Sequence, residues 1–267
     1  MTSSFALRAA CGATAALLLL ASTAPAAGPS CPVRSGPHLL PLVELFTSEG
    51  CDSCPPADAF LSASFPQGAG SPRASVLAFH VDYWDRLGWK DRFAAPAHTQ
   101  RQYAAMRAAG GTFVYTPQLL VQGQDVAPGK RDRIPALVAA AGARPARATI
   151  ALDVATDDAR AHVVRARATV PADAAASRAQ LWIAYTEGGL VSDVKAGENR
   201  GARLAHDHVV RAWHGPFSAG AGGIIDAAVT ISRPAERGST PAVVAVVLDE
   251  KTGEVLQTLT SHGCGAE

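Results

Sequence analysis

The sequence lacks an excess of charge of either sign. Its 267 residues include 24 lysines and arginines against 23 aspartates and glutamates, which gives a formal net charge of +1. No long basic stretch is present that could follow a phosphate backbone, and this argues against a nucleic-acid partner. The length is enough for one large domain or for two domains of ordinary size.

The sequence also lacks an apolar segment long enough to cross a membrane easily. The N-terminal segment "MTSSFALR" is positively charged, and the apolar core "AACGATAALLLLAS" that follows it is too short to cross a bilayer easily. The small residues at Ala24-Pro25-Ala26 suit cleavage by a signal peptidase. We therefore predict a signal peptide over residues 1–26, cleaved near Ala26, and a periplasmic or secreted mature protein without a stable membrane anchor.

Cysteines are few, and cleavage would leave Cys31, Cys51, Cys54 and Cys264 in the mature chain. In an oxidising compartment an even number of cysteines favours disulfides over bound zinc. Cys51 and Cys54 are close enough in sequence to pair locally, and this would leave Cys31 and Cys264 to form a structural disulfide between the chain ends. Such a bridge would contribute roughly 5 kcal/mol by restricting the unfolded chain. The alternative is a pair of free thiols.

The first half of the mature chain alternates between strand and helix signals, which is typical of an α/β layer fold. Continuous apolar runs indicate buried strands, and prolines at the start of a segment suit the first turn of a helix. The aromatic and charged segment 84–96 has no clear period and is predicted to be an inserted loop or short helix. The other predicted elements are strands at 39–48 and 74–83, helices at 54–65, 97–111 and 129–143, and a hairpin at 116–126.

The second half of the chain has a different pattern. The composition changes at 143–148, and beyond it short segments alternate between apolar and polar residues with turn signals between them, as in a β-sandwich. We therefore predict two domains, 27–146 and 147–267. The predicted strands of the second domain are 148–156, 161–170, 179–187, 206–213, 224–232, 242–250 and 254–260.

The stretch "GCDSCPP" (50–56) places two cysteines between a buried strand and a helix. Free N–H groups and the positive end of the helix dipole stabilise a thiolate there. Cys51 is then the natural nucleophile, and Cys54, one turn along, is close enough to resolve a mixed disulfide. Glu44 lies on the preceding strand and is predicted to carry protons to and from the resolving thiol. The alternative for Glu44 is an exposed carboxylate or an ion pair with an arginine.

Several motifs together resemble the DUF1223 family of secreted bacterial proteins over essentially the whole mature chain. These motifs are "VELFTSEGCDSCPPAD", "LAFHVDYWDRLGWKD", "RQY", "YTPQLLVQG" and "GENRGARLAHDHVVRA". The family is assigned to the thioredoxin-like superfamily. The resemblance implies an α/β, thioredoxin-like N-terminal domain followed by an all-β, sandwich-like C-terminal domain.

Carried over residue by residue, the thioredoxin-like pattern assigns Cys51 as nucleophile, Cys54 as resolving thiol and Pro117 as a cis-proline facing them. Thr116, which precedes this proline, would bind substrate through its backbone. Separately, the aromatic residue Trp84 is predicted to line a groove beside Cys51, and its alternative is a place in the core of the insertion. The sequence departs from thioredoxin at Gly50, where a tryptophan would stand, and at Asp52-Ser53 between the cysteines. The charge of Asp52 opposes the dipole and leaves the direction of electron flow open.

Two histidine groups offer alternatives. Cys51, Cys54 and His80 could bind Cu(I), because soft thiolates suit that ion; a hydrogen bond between His80 and a neighbour such as Asp82 is the simpler interpretation. His206 and His208 are two residues apart and are predicted to face the same side of a strand. They could hold a metal or contact a partner, and the simpler interpretation is the polar face of a half-exposed strand. The segment 197–204 is predicted to be a loop whose charges order it or contact a ligand.

Three functions therefore remain open. The first is an exported thiol–disulfide oxidoreductase, with no cofactor other than its redox-active disulfide and with exported protein thiols or a membrane redox partner as its partners. The second is a copper metallochaperone. The third is a non-catalytic binding or scaffold protein whose cysteine pair is a permanent disulfide. The nucleophile, resolving thiol and proline together favour the first.

Overall fold

The structure is a computed structural model that describes residue 1 and residues 30–68, 71–157, 160–172 and 176–262. The predicted signal peptide, its cleavage position near Ala26 and Cys264 of the predicted Cys31–Cys264 disulfide lie outside these residues. Across the described ranges, no helix combines the length and the apolar character that crossing a membrane requires.

The N-terminal half is built around two parallel strands, β2 (Leu42–Thr47) and β3 (Ser75–His80), whose residues are all buried. Parallel neighbours need a crossover connection, and helix α1 (Pro55–Ser64) provides it. This helix begins with two prolines, at positions where no intrahelical hydrogen bond is lost. On the other edge of β2 lies the antiparallel strand β4 (Gln118–Val121).

Strand β4 turns back into β5 (Gln124–Val126) through a two-residue turn, Gln122-Gly123. Both turn residues have positive φ, 55° and 75°, as a tight hairpin of this hand requires. A Cβ at Gly123 would lie 2.7 Å from the carbonyl oxygen of Gly253, so glycine is needed there for space as well. The hairpin predicted around Gly123 is confirmed.

The other elements of this half are strand β1 (Ser30–Arg34), helix α2 (Pro96–Ala108), helix α3 (Ile134–Gly142) and short 3-10 helices at Asp82–Leu87 and Arg131–Arg133. The strands of the C-terminal half are β6 (Thr149–Asp157), β7 (Ala161–Thr169), β8 (Ala179–Glu187), β9 (Leu190–Asp193), β10 (Arg203–His206), β11 (Val209–Ser218), β12 (Ile224–Ser232), β13 (Ala242–Asp249) and β14 (Val255–Ser261). Further 3-10 turns lie at Ala176–Arg178 and Ala221–Gly223.

Strands from both halves form one sheet of eight, in the order β14-β13-β8-β11-β3-β2-β4-β5. Strand β11 is the junction, because it runs parallel to β3 on one side and antiparallel to β8 on the other. At the junction the N–H of Ala78 donates to the carbonyl of His208 at 2.9 Å. A single buried cluster then combines Leu77 and Phe79 of β3 with Val244 of β13.

The predicted fold class, a thioredoxin-like α/β domain followed by an all-β sandwich-like domain, is therefore wrong. The described residues contain fourteen strands and three α-helices, and the N-terminal strands continue directly into the C-terminal ones. An isolated N-terminal half would leave the outer edge of β3 unpaired, and β11 satisfies that edge. The apolar pattern of a strand predicts which of its faces are buried, but it does not predict which other strand pairs with its edge. The predicted division at residue 146 falls between α3 and β6 and stays a prediction.

A second, antiparallel sheet has the order β1-β6-β7-β12. Its strand β7 alternates between buried and less buried residues, so only one of its faces is fully covered. Leu152 and Val164 on this face share a buried cluster with Ile183 and Tyr185 of the large sheet. The remaining strands, β9 and β10, form a small hairpin that projects toward the end of α1.

Candidate functional site

Cys51 and Cys54 form a disulfide with their Cα atoms 5.4 Å apart, as the local pairing predicts. Cys54 caps helix α1, and its carbonyl accepts hydrogen bonds from the N–H groups of Ala57 and Asp58 at 2.8 and 3.2 Å. The pair therefore lies at the positive end of the helix dipole, where a thiolate is stabilised. Both cysteines are fully buried.

The disulfide segment is held by the loop at 194–202, which joins β9 to β10. The side-chain amide of Asn199 donates to the backbone carbonyls of Glu49 and Cys51, both at 2.9 Å. The N–H of Asp52 donates to the Glu198 carboxylate at 3.1 Å. The glycines at both ends of "GENRG" indicate this loop in the sequence, but its partner 148 residues away is not a local signal.

A groove of about 320 Å³ lies beside the cysteine pair, and Ser53, Tyr115, Thr116 and Pro117 contribute to its lining. The Thr116–Pro117 peptide bond is cis, as predicted. The indole N–H of Trp84 donates to the Thr116 hydroxyl at 2.8 Å, so these two predicted substrate-binding residues contact each other. Their roles toward a substrate, like the role of Pro117, stay predictions.

Glu44 is fully buried in the middle of β2, and both of its carboxylate oxygens contact Arg101 of helix α2. The Arg101 Nε donates to Oε1 at 2.8 Å and Nη2 donates to Oε2 at 2.9 Å. This is the ion pair that the sequence leaves open as an alternative. The predicted proton-carrying role of Glu44 stays a prediction, and it would require the carboxylate to leave a bidentate partner.

A second polar group lies near the disulfide, at the end of β3. Asp58 of α1, His80 of β3 and His206 of β10 have candidate metal-ligand atoms that all lie within 4.8 Å of one another. The cysteine sulfurs are not part of this group. The copper set of Cys51, Cys54 and His80 stays a prediction, although sulfurs joined in a disulfide have no thiolate to offer.

His80 is fully buried and its Nδ1 contacts the Asp91 carboxylate at 2.6 Å, so Asp91 rather than Asp82 is its partner. The same carboxylate accepts the N–H groups of Glu49 and Phe93, each at 2.9 Å. Burial alone would raise the pKa of Asp91, but His80 and these N–H groups outweigh burial and lower it to about 2. Burial would lower the pKa of His80, but Asp91 outweighs it and the pKa is raised.

Buried polar atoms of His80, of His206 and of the neighbouring Glu49 have no hydrogen-bond partner. The indole N–H of Trp89 donates to Glu49 Oε2 at 2.7 Å, while Glu49 Oε1 lies 3.4 Å from His206 Nε2 without a hydrogen bond. Neither ring nitrogen of His206 has a hydrogen-bond partner, and the same is true of His80 Nε2. Burial raises the pKa of Asp58, against the opposing effects of the two histidines and of its hydrogen bond from Thr47.

The predicted arrangement of His206 and His208 on one side of a strand is wrong. Strand β10 ends at His206, and His208 lies beyond it with a φ of 58°. The His208 Nε2 contacts the carbonyl of Phe65 at 2.7 Å, away from the other histidines. His98 contacts the backbone carbonyl of His80 through Nδ1 at 2.9 Å, and burial lowers its pKa to about 4.

A family model described as a protein of unknown function, DUF1223, matches residues 42–248. The crystal structure of protein AGR_C_4864 from Agrobacterium tumefaciens is similar to this chain, with a TM-score of 0.56 and 25% identity over 85% of this chain and 95% of that one. HBP35 of Porphyromonas gingivalis is similar in fold alone, with a TM-score of 0.64 and 14% identity over 84% of this chain and 75% of that one. No curated protein matches the chain.

Proposed function

The chain belongs to the DUF1223 family, and from the geometry of its own residues we propose that it is an exported thiol–disulfide oxidoreductase acting through Cys51 and Cys54. One observation carries the proposal. The two cysteines form a disulfide at the N-terminus of α1, beside a groove lined by Ser53, Thr116 and Pro117. In this proposal, the groove receives an extended segment of an exported protein, whose thiol or disulfide then reaches the pair.

The reaction is an exchange of sulfur bonds. In the oxidising direction, a substrate thiolate attacks Cys51 Sγ and forms a mixed disulfide, while the electron pair of the broken bond leaves on Cys54 Sγ. A second substrate thiolate then attacks the substrate sulfur and releases Cys51 as a thiolate. The substrate loses two electrons to the cysteine pair, and its two thiol protons pass to the released thiolates or to solvent. In the reducing direction, the Cys51 thiolate attacks a substrate disulfide and Cys54 resolves the product.

The complete burial of both cysteines favours a different function, that of a non-catalytic scaffold with a permanent disulfide. In the redox proposal, this burial means that part of the chain must move before a protein substrate reaches the sulfurs, and we propose that it is the loop at 194–202, which contacts the disulfide segment. The loop is held there by neutral amide hydrogen bonds from Asn199 and by the Glu198 contact, which are individually weak.

A matched pair of single-cysteine variants tests the proposal. In Cys54→Ala the attacking thiol of Cys51 remains, and no second thiol is present to resolve the product. When this variant is incubated with glutathione disulfide, we expect a mixed disulfide between Cys51 and glutathione to accumulate. Mass spectrometry of the intact chain measures it. Cys51→Ala is the control and should accumulate at least tenfold less. Equal labelling of both variants would contradict the assigned roles.

The reduction potential of the wild-type pair separates the two candidates. A value of about −120 to −270 mV, in the range of known exchange proteins, would support the oxidoreductase and indicate its direction. A value below about −300 mV would show that the bond is structural and would favour the scaffold.

A further inference from the structure

We infer that Asp58, His80 and His206 form a buried site for a divalent first-row transition-metal ion of the Zn²⁺ class, with Glu49 as a fourth ligand. This site lies outside the disulfide chemistry and does not depend on it. Nothing in the strand pattern of the sequence joins these residues, because they come from α1, β3 and the end of β10 and meet only in the folded chain.

The first argument is distance. The candidate ligand atoms of Asp58, His80 and His206 lie within 4.8 Å of one another. Nitrogen and oxygen ligands lie about 2.0–2.2 Å from zinc, so two ligand atoms of a tetrahedral site are about 3.4 Å apart. The separations between the ligand atoms therefore need to shorten by at most about 1.4 Å, within the reach of small torsional changes.

The second argument is the orientation of His80. Its Nδ1 is engaged by the Asp91 carboxylate at 2.6 Å, while its Nε2 is buried and has no hydrogen-bond partner. A carboxylate on one ring nitrogen is the arrangement that orients a metal-bound histidine and makes the other nitrogen a better ligand. Asp91 is itself fixed by the N–H groups of Glu49 and Phe93.

The third argument is the set of buried atoms without partners. His206 is 3% exposed, and neither of its ring nitrogens is hydrogen-bonded; Glu49 Oε1 lies 3.4 Å from its Nε2, at ion-pair distance but without a hydrogen bond. Leaving buried polar atoms unsatisfied is costly, and such atoms are uncommon in folded proteins. One metal ion would bind one ring nitrogen of His206 together with His80 Nε2 and Glu49 Oε1, and the second His206 nitrogen would stay outside the coordination.

The carboxylates are held in the same way as His80. Trp89 donates to Glu49 Oε2 at 2.7 Å, and Thr47 donates to Asp58 Oδ2 at 2.8 Å. In each case one oxygen is fixed by an outer partner, and for Glu49 the other oxygen, Oε1, has no hydrogen-bond partner. Supported ligands of this kind are the usual environment of a protein metal site.

The ligand types select the ion. Two imidazoles and two carboxylates suit Zn²⁺ and its neighbours, whereas Cu(I) prefers the thiolates that this group lacks. The carboxylates of Glu49 and Asp58 bring negative charge that a divalent cation would balance. A groove of about 440 Å³ between α1 and β10 is lined by Asp58 and His206 and gives an ion a route from solvent.

Zinc binding to the full, untagged mature chain tests the inference. After removal of metal with a chelator, we expect one Zn²⁺ per chain by mass spectrometry of the metal content, and a single-site isotherm by calorimetry. His206→Gln and Asp58→Asn should each weaken the affinity by about 10–100-fold or more. The same histidine change at an exposed position, His38→Gln, should leave it unchanged.

Two results would overturn the site. One is less than a tenth of an equivalent of bound zinc in the wild type, and the other is an affinity that His206→Gln and Asp58→Asn leave unchanged, which would place any bound zinc elsewhere. The absorption spectrum of bound Co²⁺ provides a second readout. It needs only Asp58→Asn, a conservative substitution at a half-buried residue. Visible d–d bands in the wild type that disappear in Asp58→Asn would support nitrogen and oxygen ligation, and a spectrum equal to that of the aqueous ion would contradict it. The variant Cys51→Ala/Cys54→Ala removes the disulfide but none of the proposed metal ligands. Its zinc affinity should equal that of the wild type, so the metal site can be tested even if the redox proposal fails.

Discussion

At the residue scale, Glu44 and Arg101 are a buried bidentate pair, and the removal of one partner leaves the other charge without compensation. We predict that Arg101→Met lowers the free energy of unfolding by about 3–5 kcal/mol, because the Glu44 carboxylate stays buried and unpaired. In Glu44→Leu/Arg101→Met the buried charges disappear together, and most of this loss should be recovered. Urea unfolding of the single and double variants measures both quantities.

The double variant also tests the proton-carrying role predicted for Glu44. If the residue is an acid or base in the exchange reaction, the exchange rate of the stable double variant should fall by about 10²–10⁴-fold. A rate close to that of the wild type would mean that the ion pair serves the fold alone.

Replacing Asn199 should make the Cys51–Cys54 disulfide more accessible to a reductant. Its amide donates to two backbone carbonyls on either side of Gly50, and neutral hydrogen bonds of this kind contribute about 0.5–1.5 kcal/mol each. We predict that Asn199→Ala speeds the reduction of the disulfide by dithiothreitol about tenfold, since each 1.4 kcal/mol corresponds to a factor of ten. Arg200→Ala, a change at the exposed neighbouring residue, is the control and should leave the rate near the wild-type value. An unchanged rate in Asn199→Ala would show that this loop does not limit access.

How far the sequence predicts the site depends on how local each contact is. The Cys51–Cys54 disulfide is formed within one turn and follows from spacing alone. The contact of Asn199 with Cys51 spans 148 residues and could not be predicted from any window of the sequence. For His80, the sequence predicts a hydrogen bond to a nearby aspartate such as Asp82. The partner is Asp91, because the chain turns through the 3-10 helix at Asp82–Leu87 and returns to His80.

At the element scale, the continuous and alternating apolar patterns are sufficient to predict most strands. Segments 179–187 and 224–232 coincide with β8, which is buried nearly throughout, and with β12, whose burial largely alternates because one face is covered. The strands β9 and β10, "LVSD" and "RLAH", are missed because four residues of mixed polarity give too short a period to recognise. The missed hairpin is the one that brings His206 and Asn199 to the site.

The β13–β14 turn contains a carboxylate whose titration should be visible in stability. Burial by itself would raise the pKa of Asp249, but hydrogen bonds from Arg178 and from the N–H groups of Thr252 and Lys251 outweigh burial and lower the pKa below its ordinary value. A carboxyl group with a lowered folded-state pKa binds fewer protons than in the unfolded chain. Its contribution is therefore complete above the unfolded pKa of about 3.9 and is lost as the pH falls below it.

We predict that Asp249→Asn lowers the free energy of unfolding by about 1.5–3 kcal/mol at pH 7, as expected for hydrogen bonds to a charged group. The difference from the wild type should shrink between pH 4 and pH 3, because the wild type loses the same contribution there by protonation. Chemical unfolding at pH 7, 4 and 3 measures the difference. Glu250→Gln at the exposed next residue is the control, and a difference that does not change with pH would contradict the assignment to Asp249.

At the scale of the whole molecule, the two halves of the chain share both a sheet and a core. The parallel pairing of β11 with β3 joins them through the backbone, and the cluster that contains Leu42 and Leu77 also contains Val210 and Val246. The sequence pattern changes near residue 146, which predicts two domains, but strand pairing across that point is a long-range property that the pattern does not encode. A structure joined in this way should lose both halves together when it unfolds.

We therefore predict one cooperative thermal transition for the mature chain, with a calorimetric enthalpy close to the van't Hoff enthalpy. Leu77 is fully buried in the shared cluster, so Leu77→Ala should cost about 2–5 kcal/mol and move the entire transition to lower temperature. In a chain with two independent domains, the same change would move only the part of the heat absorption that belongs to the N-terminal half, and a second transition would remain in place. Differential scanning calorimetry of the wild type and Leu77→Ala distinguishes the two cases, and a split transition in either protein would show that the large sheet does not couple the halves.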